Sequence, residues 1–549
     1  MSAVDMHDYV DRARRAGELV VQPRMGMAAP ETMAQGLAAV AGADAHTVGT
    51  ITLDSYTRVG DHDGARRALR EGGKLNGFPI VVHGPECTAA VAEAAGPEMP
   101  VQVRHGSSRP EDIFATMVRA GLSVSEGGPV SYCLPYGRVP LAQSVASWRS
   151  ASAQLAEDAA AQGLRAHLET FGGCLLGQLC PPSLLVAMSV LEAMFFAQQG
   201  IPSVSLSYAQ QTHPGQDVEA LAALRELAGQ LLPVGVDWHV VLYTYMGVFP
   251  RTEAGAALLL DRSVHVAVRG GAERLIVKTT AEAHRIPTVA ENVTALERSA
   301  AVALEARIMS DLPWADAVGV NEVLAEARVL VETVLELSDD LGQALLKAFA
   351  TGVLDVPYCL HKDNRGHAQG AIDTDGRLRW VRTGAMPLPS RHRGASRMRS
   401  EELLRMLRHT SDQHDQEGRS SGDHTVTPHR VAVVGTGPRG LATLERMAAR
   451  LVADPPRGLV ELTAIDAVEV GCGRIWRTDQ PDCFLMNTPA GEVTMFSGPW
   501  DGGPAQAGAG PTLAQWWEQM DHDYPGSNGY APRAVYGRYL RFVLDAVVA

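Results

Sequence analysis

Between residues 20 and 278, short β-branched runs alternate with alanine-rich helical stretches, and this alternation restricts the fold more than any other property of the chain. The runs read V-V-Q-P-R, T-V-G-T-I-T-L-D, F-P-I-V-V-H-G, P-V-Q-V-R-H-G, L-S-V-S-E-G-G, A-H-L-E-T-F-G, V-S-L-S-Y, H-V-V-L-Y-T-Y-M-G and R-L-I-V-K-T. Repeated strand–helix units call for parallel strands covered by helices, because a parallel neighbour is reached only through a crossover. A closed eight-stranded barrel accommodates all but one of these nine candidates, so one of them is peripheral. An open doubly wound sheet gives the same alternation. Helix starts are marked by Pro30 with Glu31 and by Pro181 with Pro182, since proline is tolerated in a first turn.

The length of 549 residues exceeds one core and predicts a large domain with an appendage. A net charge of -14 without a basic stripe argues against nucleic acid as a partner. Seven cysteines, at 87, 133, 174, 180, 359, 472 and 483, form no C-x-x-C pair and total an odd number, against a disulfide framework or zinc knuckle. The charged N-terminus lacks an apolar signal segment, and the most apolar helix, P-P-S-L-L-V-A-M-S-V-L-E-A-M-F-F-A, carries Glu192 and is short for a bilayer. The expectation is a cytoplasmic protein with no membrane partner and no bound structural metal.

Charged residues stand at strand exits. Arg24 ends V-V-Q-P-R, Arg58 follows D-S-Y-T, Arg104 and His105 end P-V-Q-V-R-H, and Glu126 precedes Gly127 and Gly128. In a parallel barrel these positions meet at the C-terminal mouth, where such folds build active sites. Taken singly, each arginine is more simply the partner of a nearby acid. Three at matching positions suit a dicarboxylate, gripped through forked hydrogen bonds. Glu126 reads as a base or an ammonium acceptor, or as an ion-pair partner of Arg104. Tyr132 and Tyr136 supply hydroxyls. Lys278 and Glu282 sit four apart, a spacing that also suits a helix-start pair.

From about residue 387 to 428 the composition turns to Arg, His, Ser and Asp and reads as a linker, with one helical segment near Glu401 to Leu407. At His429 a new domain begins with a strand, the turn G-T-G-P-R-G and a helix. Gly435, Gly437 and Gly440 fill G-x-G-x-x-G, and Asp466 ends the next strand, placed for a ribose hydroxyl. FAD or NAD(P) is the cofactor such a turn would take.

On these residues the chain resembles the large (epsilon, or E) subunit of glutamate mutase, also called methylaspartate mutase. The resemblance spans roughly residues 15 to 390 through Q-P-R-x-G, D-x-Y-T-R, L-N-G-F-P, R-H-G, E-G-G-x-x-S-Y-x-x-P-Y, P-P-S, M-G-x-F-P, I-V-K-T-x-x-E-A-x-x-I-P-T and K-A-F-x-T-G-V-x-D-x-P. It implies an α/β fold, a TIM-type (β/α)8 barrel over residues 1–386, then a linker over 387–428. The implied activity is that of an isomerase interconverting L-glutamate and threo-3-methylaspartate by an adenosylcobalamin-dependent radical route. Arg24, Arg58 and Arg104 would form a claw on the substrate carboxylates, Glu126 would engage the substrate amino group, and His105, Tyr132 and Tyr136 would complete the pocket. Gly26, Asn76, Pro135, Phe249, Lys278, Glu282 and Ile286 would face adenosylcobalamin. A small partner subunit with a D-x-H-x-x-G signature holds most of the cobalamin in this family, so the resemblance implies a hetero-oligomer. The chain departs from the family in a longer F-G-G-C-L-L-G loop and in L-Y-T-Y-M-G, where the family has a histidine and a tryptophan.

Residues 429–549 resemble the start of an FAD/NAD(P)-binding family, through V-V-G-T-G-P-R-G, L-M-N-T-P-A-G-E-V-T-M-F and P-R-A-V-Y-G-R-Y-L, and are read as a partial Rossmann-like domain. The alternative reading of the whole chain is a flavin- or nicotinamide-dependent oxidoreductase whose barrel binds substrate or serves as scaffold.

Overall fold

The computed structural model describes residues 4–72, 75–135, 137–175, 179–308, 322–389, 400–422, 429–453, 460–496, 510–521 and 524–548. Two compact units emerge, Met1–Gly422 and Asp423–Ala549.

The first unit is built on eight strands: β1 (Val20–Pro23), β2 (Gly49–Thr52), β3 (Val101–Arg104), β4 (Val124–Gly127), β5 (His167–Thr170), β6 (Ser203–Ala209), β7 (Asp237–Tyr243) and β8 (Arg274–Val277). Every ladder is parallel, in the order β1-β8-β7-β6-β5-β4-β3-β2, with helices between successive strands. The ends of this sheet meet through an isolated bridge between Val21 and Thr47. The (β/α)8 reading is therefore right.

The peripheral candidate is F-P-I-V-V-H-G. Phe78 makes only an isolated bridge to Leu53, Pro79 caps, and Ile80–Glu93 is helical with a kink at Gly84 and Pro85. Pro79 has no amide to give a ladder, and burial of Ile80 outweighs the weak helix preference of β-branched residues.

The linker reading of 387–428 meets a difference. Leu388 is buried in the barrel's own core, and Ser400–Gly422 forms one helix packed on the first unit. Its polar composition conceals Leu403, Met406 and Leu407, spaced three and four apart, which pack with Leu179, Leu378, Tyr358 and Ile372. Ile372 and Leu378 belong to the hairpin of β9 (Gln369–Ile372) and β10 (Leu378–Arg382).

In the second unit β11 (His429–Val434) and β12 (Val460–Ile465) pair in parallel around the helix Pro438–Ala453. A separate core gathers Leu441, Leu513, Trp516, Trp517, Tyr539 and Leu540. Among the described residues no helix is long and apolar enough to cross a membrane.

Candidate active site

The exits of β3 and β4 converge on one buried carboxylate. Arg104 Nε donates to Glu126 Oε2 at 2.7 Å, the Tyr132 hydroxyl donates to Oε1, and the Tyr243 hydroxyl lies 2.7 Å from Oε2. Arg104 Nη2 reaches the same Tyr243 oxygen at 3.2 Å, and the guanidinium lies 5.1 Å from the tyrosine ring centre. Burial pushes the Glu126 carboxyl up, but the Arg104 charge and the hydrogen bonds from Arg104, Tyr132 and Tyr243 outweigh it and hold the group below the usual carboxylate range. Glu126 is thus both the ion-pair partner of Arg104 and an anion facing phenols.

The turn after β4 is held from below. Glu192, on the buried helix Pro182–Gln198, accepts from the amides of Val130 at 3.2 Å and Ser131 at 2.9 Å and from the Ser131 hydroxyl at 2.9 Å. A Cβ at Gly128 would lie 2.0 Å from the Glu192 carboxylate, so glycine is required there. Burial raises the Glu192 carboxyl to about 7.

Beside this cluster several polar atoms lack partners. His105 Nδ1 accepts from the Ser107 amide at 3.0 Å, which leaves the proton on Nε2, and Nε2 is buried without a hydrogen bond among the described residues. The imidazole stacks on Trp148 and meets Tyr132 edge-on; burial, aided by Arg58 against the pull of Glu126, lowers it to about 4, so it is neutral. Arg58 Nε and Thr52 Oγ1 are likewise buried and unsatisfied. Arg58 sits in the short helix Ser55–Val59, whose start is capped by Asp54 and fixed by Asn76 Oδ1, which accepts from the Ser55 amide at 3.0 Å. Buried donors without acceptors are costly unless a ligand completes them.

A second cluster lies at the exits of β1 and β8. Glu282 Oε1 accepts from Arg24 at 3.2 Å and from Lys278 Nζ at 2.9 Å, and the ammonium lies 5.1 Å from the Phe249 ring centre. Burial first, and then the Arg24 and Arg104 charges, lower Lys278 to about 8, with Glu282 opposing. Gly26 lies where a Cβ would fall 2.3 Å from the Thr52 carbonyl. Ile286 is exposed, as are Tyr56, Val59 and Val248 on other mouth loops. Pro135 follows Tyr132 on the turn after β4; Tyr136 lies outside the described residues.

Sequence reasoning misses the floor of the site. The Tyr243 hydroxyl also contacts Glu169, and Glu169 pairs with Arg274, both fully buried inside the barrel. Arg274 reaches Gln22, Ser205 and His239, while Gln22 bonds to Gln102 and Thr50. Buried parallel strands ordinarily read as apolar runs, so Glu169, Gln102 and Arg274 inside such strands are the available signal.

In the second unit Gly435 has φ of 82°, and a Cβ on Gly440 would lie 2.6 Å from the Gly435 carbonyl, as a tight turn and close helix packing require. Gly437 faces Gly473. Asp466 Oδ1 accepts from the Val468 amide at 2.9 Å, so one carboxylate oxygen shapes its own turn.

Known proteins are similar to both parts of this chain in sequence. Residues 432–549 match the family described as FAD-NAD(P)-binding. Relatives named glutamate mutase epsilon subunit include that of Escherichia coli O157:H7, 30% identical over 391 residues, covering 69% of this chain and 80% of the relative. That of Haloarcula marismortui is 31% identical over 385 residues, covering 68% and 77%, and that of Halobacterium salinarum 33% over 347 residues, covering 61% and 71%. Residues 2–409, which carry the barrel and both mouth clusters, match Methylaspartate mutase E chain (MutE), and the chain belongs to that family.

Proposed function

We propose that this chain is the substrate-binding subunit of an adenosylcobalamin-dependent mutase that interconverts L-glutamate and threo-3-methylaspartate. The observation that carries the reading is the buried Glu126, clasped by Arg104, Tyr132 and Tyr243, beside the unsatisfied donors His105 Nε2 and Arg58 Nε. An amino acid with two carboxylates supplies what those groups lack: acceptors for the arginines and imidazole, and an ammonium for Glu126. Arg24, Arg58 and Arg104 hold the carboxylates at the two ends, which keeps a reacting fragment from leaving. Glu126, kept anionic by Arg104, accepts a hydrogen bond from the substrate ammonium. Tyr132 closes the pocket.

The mouth suits a cobalamin. Exposed Tyr56, Val59, Val248 and Ile286 give an apolar rim on the loops after β2, β7 and β8, and Thr52 Oγ1 beside Gly26 is an unsatisfied polar atom. Adenosylcobalamin, when bound, supplies the organic radical that starts and ends the rearrangement. Gly26, Asn76, Pro135, Phe249, Lys278, Glu282 and Ile286 are the residues that would hold it. A small cobalamin-binding partner would dock over the same rim in a cytoplasmic hetero-oligomer.

For residues 429–549 we propose only weak dinucleotide contact, through Gly435, Gly437, Gly440 and Asp466, with FAD or NAD(P) as the ligand class. The test of the main reading is conversion of glutamate to 3-methylaspartate, followed by proton NMR, with adenosylcobalamin and a D-x-H-x-x-G partner. No turnover, alongside stoichiometric reduction of a bound flavin by substrate, would favour the oxidoreductase alternative.

A further inference from the structure

The helix Ser400–Gly422 touches the first unit at a place that bears on the mouth. Asp415 accepts from the Arg251 amide at 3.0 Å, the Thr252 amide at 2.9 Å and the Thr252 hydroxyl at 2.7 Å. Thr252 is the N-cap of the helix Glu253–Arg269, and its hydroxyl oxygen accepts from the Gly255 amide at 3.1 Å. A helix start leaves amides unpaired and carries partial positive charge, so a carboxylate here both satisfies donors and meets the dipole.

The approach is close enough to demand glycine on both sides. A Cβ on Gly418 would lie 2.6 Å from the Gly255 amide nitrogen, and one on Gly255 would lie 2.8 Å from Asp415 Oδ1. Arg262 fastens the crossing. Its Nη2 donates to Glu417 at 2.5 Å and its Nη1 lies 3.1 Å from His414 Nε2, which is free to accept because His414 Nδ1 donates to the Thr410 carbonyl at 2.8 Å.

The segment so anchored is the loop that leaves β7 at the mouth. At its start the Tyr245 amide donates to Gln210 Oε1 at 3.2 Å, and at its end stand Arg251 and Thr252. Between them, Phe249 packs with Tyr245, Ala256, Leu259 and Leu260 and presents its ring to Lys278. The Arg251 carbonyl accepts from His284 Nε2 at 3.0 Å, two residues past Glu282. One carboxylate therefore steadies the Phe249 loop directly and the Lys278–Glu282 rim through Arg251.

We propose that Asp415 is a positioning residue of the mouth: from a helix outside the barrel it fixes the loop on which the cobalamin-carrying partner seats. The proposal rests on the mutase reading for its functional half and on the backbone geometry for its structural half.

The experiment compares the full chain with Asp415→Ala, Asp415→Asn and Gly418→Ala, by hydrogen–deuterium exchange and by turnover against partner concentration. Exchange in peptides covering residues 244–255 should rise about tenfold in Asp415→Ala, as expected for loss of a capping acceptor. Asn, which keeps one acceptor, should fall between. Gly418→Ala should reproduce the effect with Asp415 intact, and peptides covering β3 and β4 should not change. The partner concentration for half-maximal turnover should rise about tenfold in Asp415→Ala, while the KM for substrate at saturating partner stays within about twofold of the parent. Unchanged exchange at 244–255 overturns the brace, and faster exchange with an unaltered partner requirement overturns its role. If the parent chain shows no mutase turnover with its partner, the mutase reading fails separately, and the exchange data still decide the brace.

Discussion

The hydroxyl of Tyr243 lies 2.7 Å from Glu126 Oε2 while also contacting Glu169 Oε1. A phenol donates one proton, so it satisfies one carboxylate at a time, and Glu169 has Arg274 as a second partner. Tyr243→Phe should cut turnover roughly tenfold to 100-fold and shift the pH–rate profile, because Glu126 loses a donor that helps hold it anionic. Superimposable profiles would remove Tyr243 from the chemistry.

Arg104→Lys and Arg58→Lys should each lower turnover roughly 100-fold with circular dichroism unchanged. Lysine keeps the charge but loses the planar fork, and the fragment it holds is displaced by about an ångström. Near-parent turnover in either would reduce that arginine to a structural ion pair.

The chain alone should isomerise nothing and gain activity on adding a small cobalamin-binding partner: its D-x-H-x-x-G match, Asp44–Gly49, leads into β2 at the barrel end opposite the mouth, and His46 there pairs with Glu18. Turnover measured with and without the partner checks this, and robust activity from the chain alone would contradict it.

Lys278 gives a pH test of stability. Burial holds it at about 8 in the folded chain, whereas an unfolded lysine titrates at about 10.4. Between those values the unfolded chain binds the extra proton, so this group's contribution rises with pH across that window, and the cost of burying the charge is full below it. Lys278→Met should therefore be more favourable relative to the parent at pH 7 than at pH 10. Urea unfolding at both pH values measures the difference; a constant gap would mean that the ammonium is not depressed.

Much of this architecture is legible in sequence because parallel strands and their crossovers leave a strong local signature, and because Arg24, Arg58, Arg104 and Glu126 stand at strand exits. Two things are hidden. The floor of Glu169, Arg274 and Gln102 depends on which face of a four-residue strand points inward, and strand start points decide that. The docking of Ser400–Gly422 depends on Asp415 and Gly418 meeting Thr252 and Gly255, more than 160 positions away. Local composition records neither partner.

FAD titrated into the full chain by fluorescence quenching should show weak binding, if any. The turn at Gly435–Gly440 is compact, but Asp466 already spends one oxygen on the Val468 amide, and tight binding of so large a cofactor needs walls that cover most of its surface. Stoichiometric retention through gel filtration would reverse this and strengthen the oxidoreductase alternative.

The bridge between Val21 and Thr47 is where the circle of strands closes. Here β1 and β2 share single contacts, among them the Val48 amide on the Val21 carbonyl at 3.2 Å and the Thr52 amide on the Met25 carbonyl at 2.9 Å, in place of a ladder. Arg24 leaves the barrel on one side of this seam and Arg58 on the other. If Arg24 and Arg58 take the two ends of the substrate as proposed, the bound substrate ties this seam together from the mouth without involving the Arg104–Glu126 pair, and the grip closes across the seam. Amide exchange at Val48 and Thr52, slowed by substrate while β3 stays unchanged, would register that grip closing.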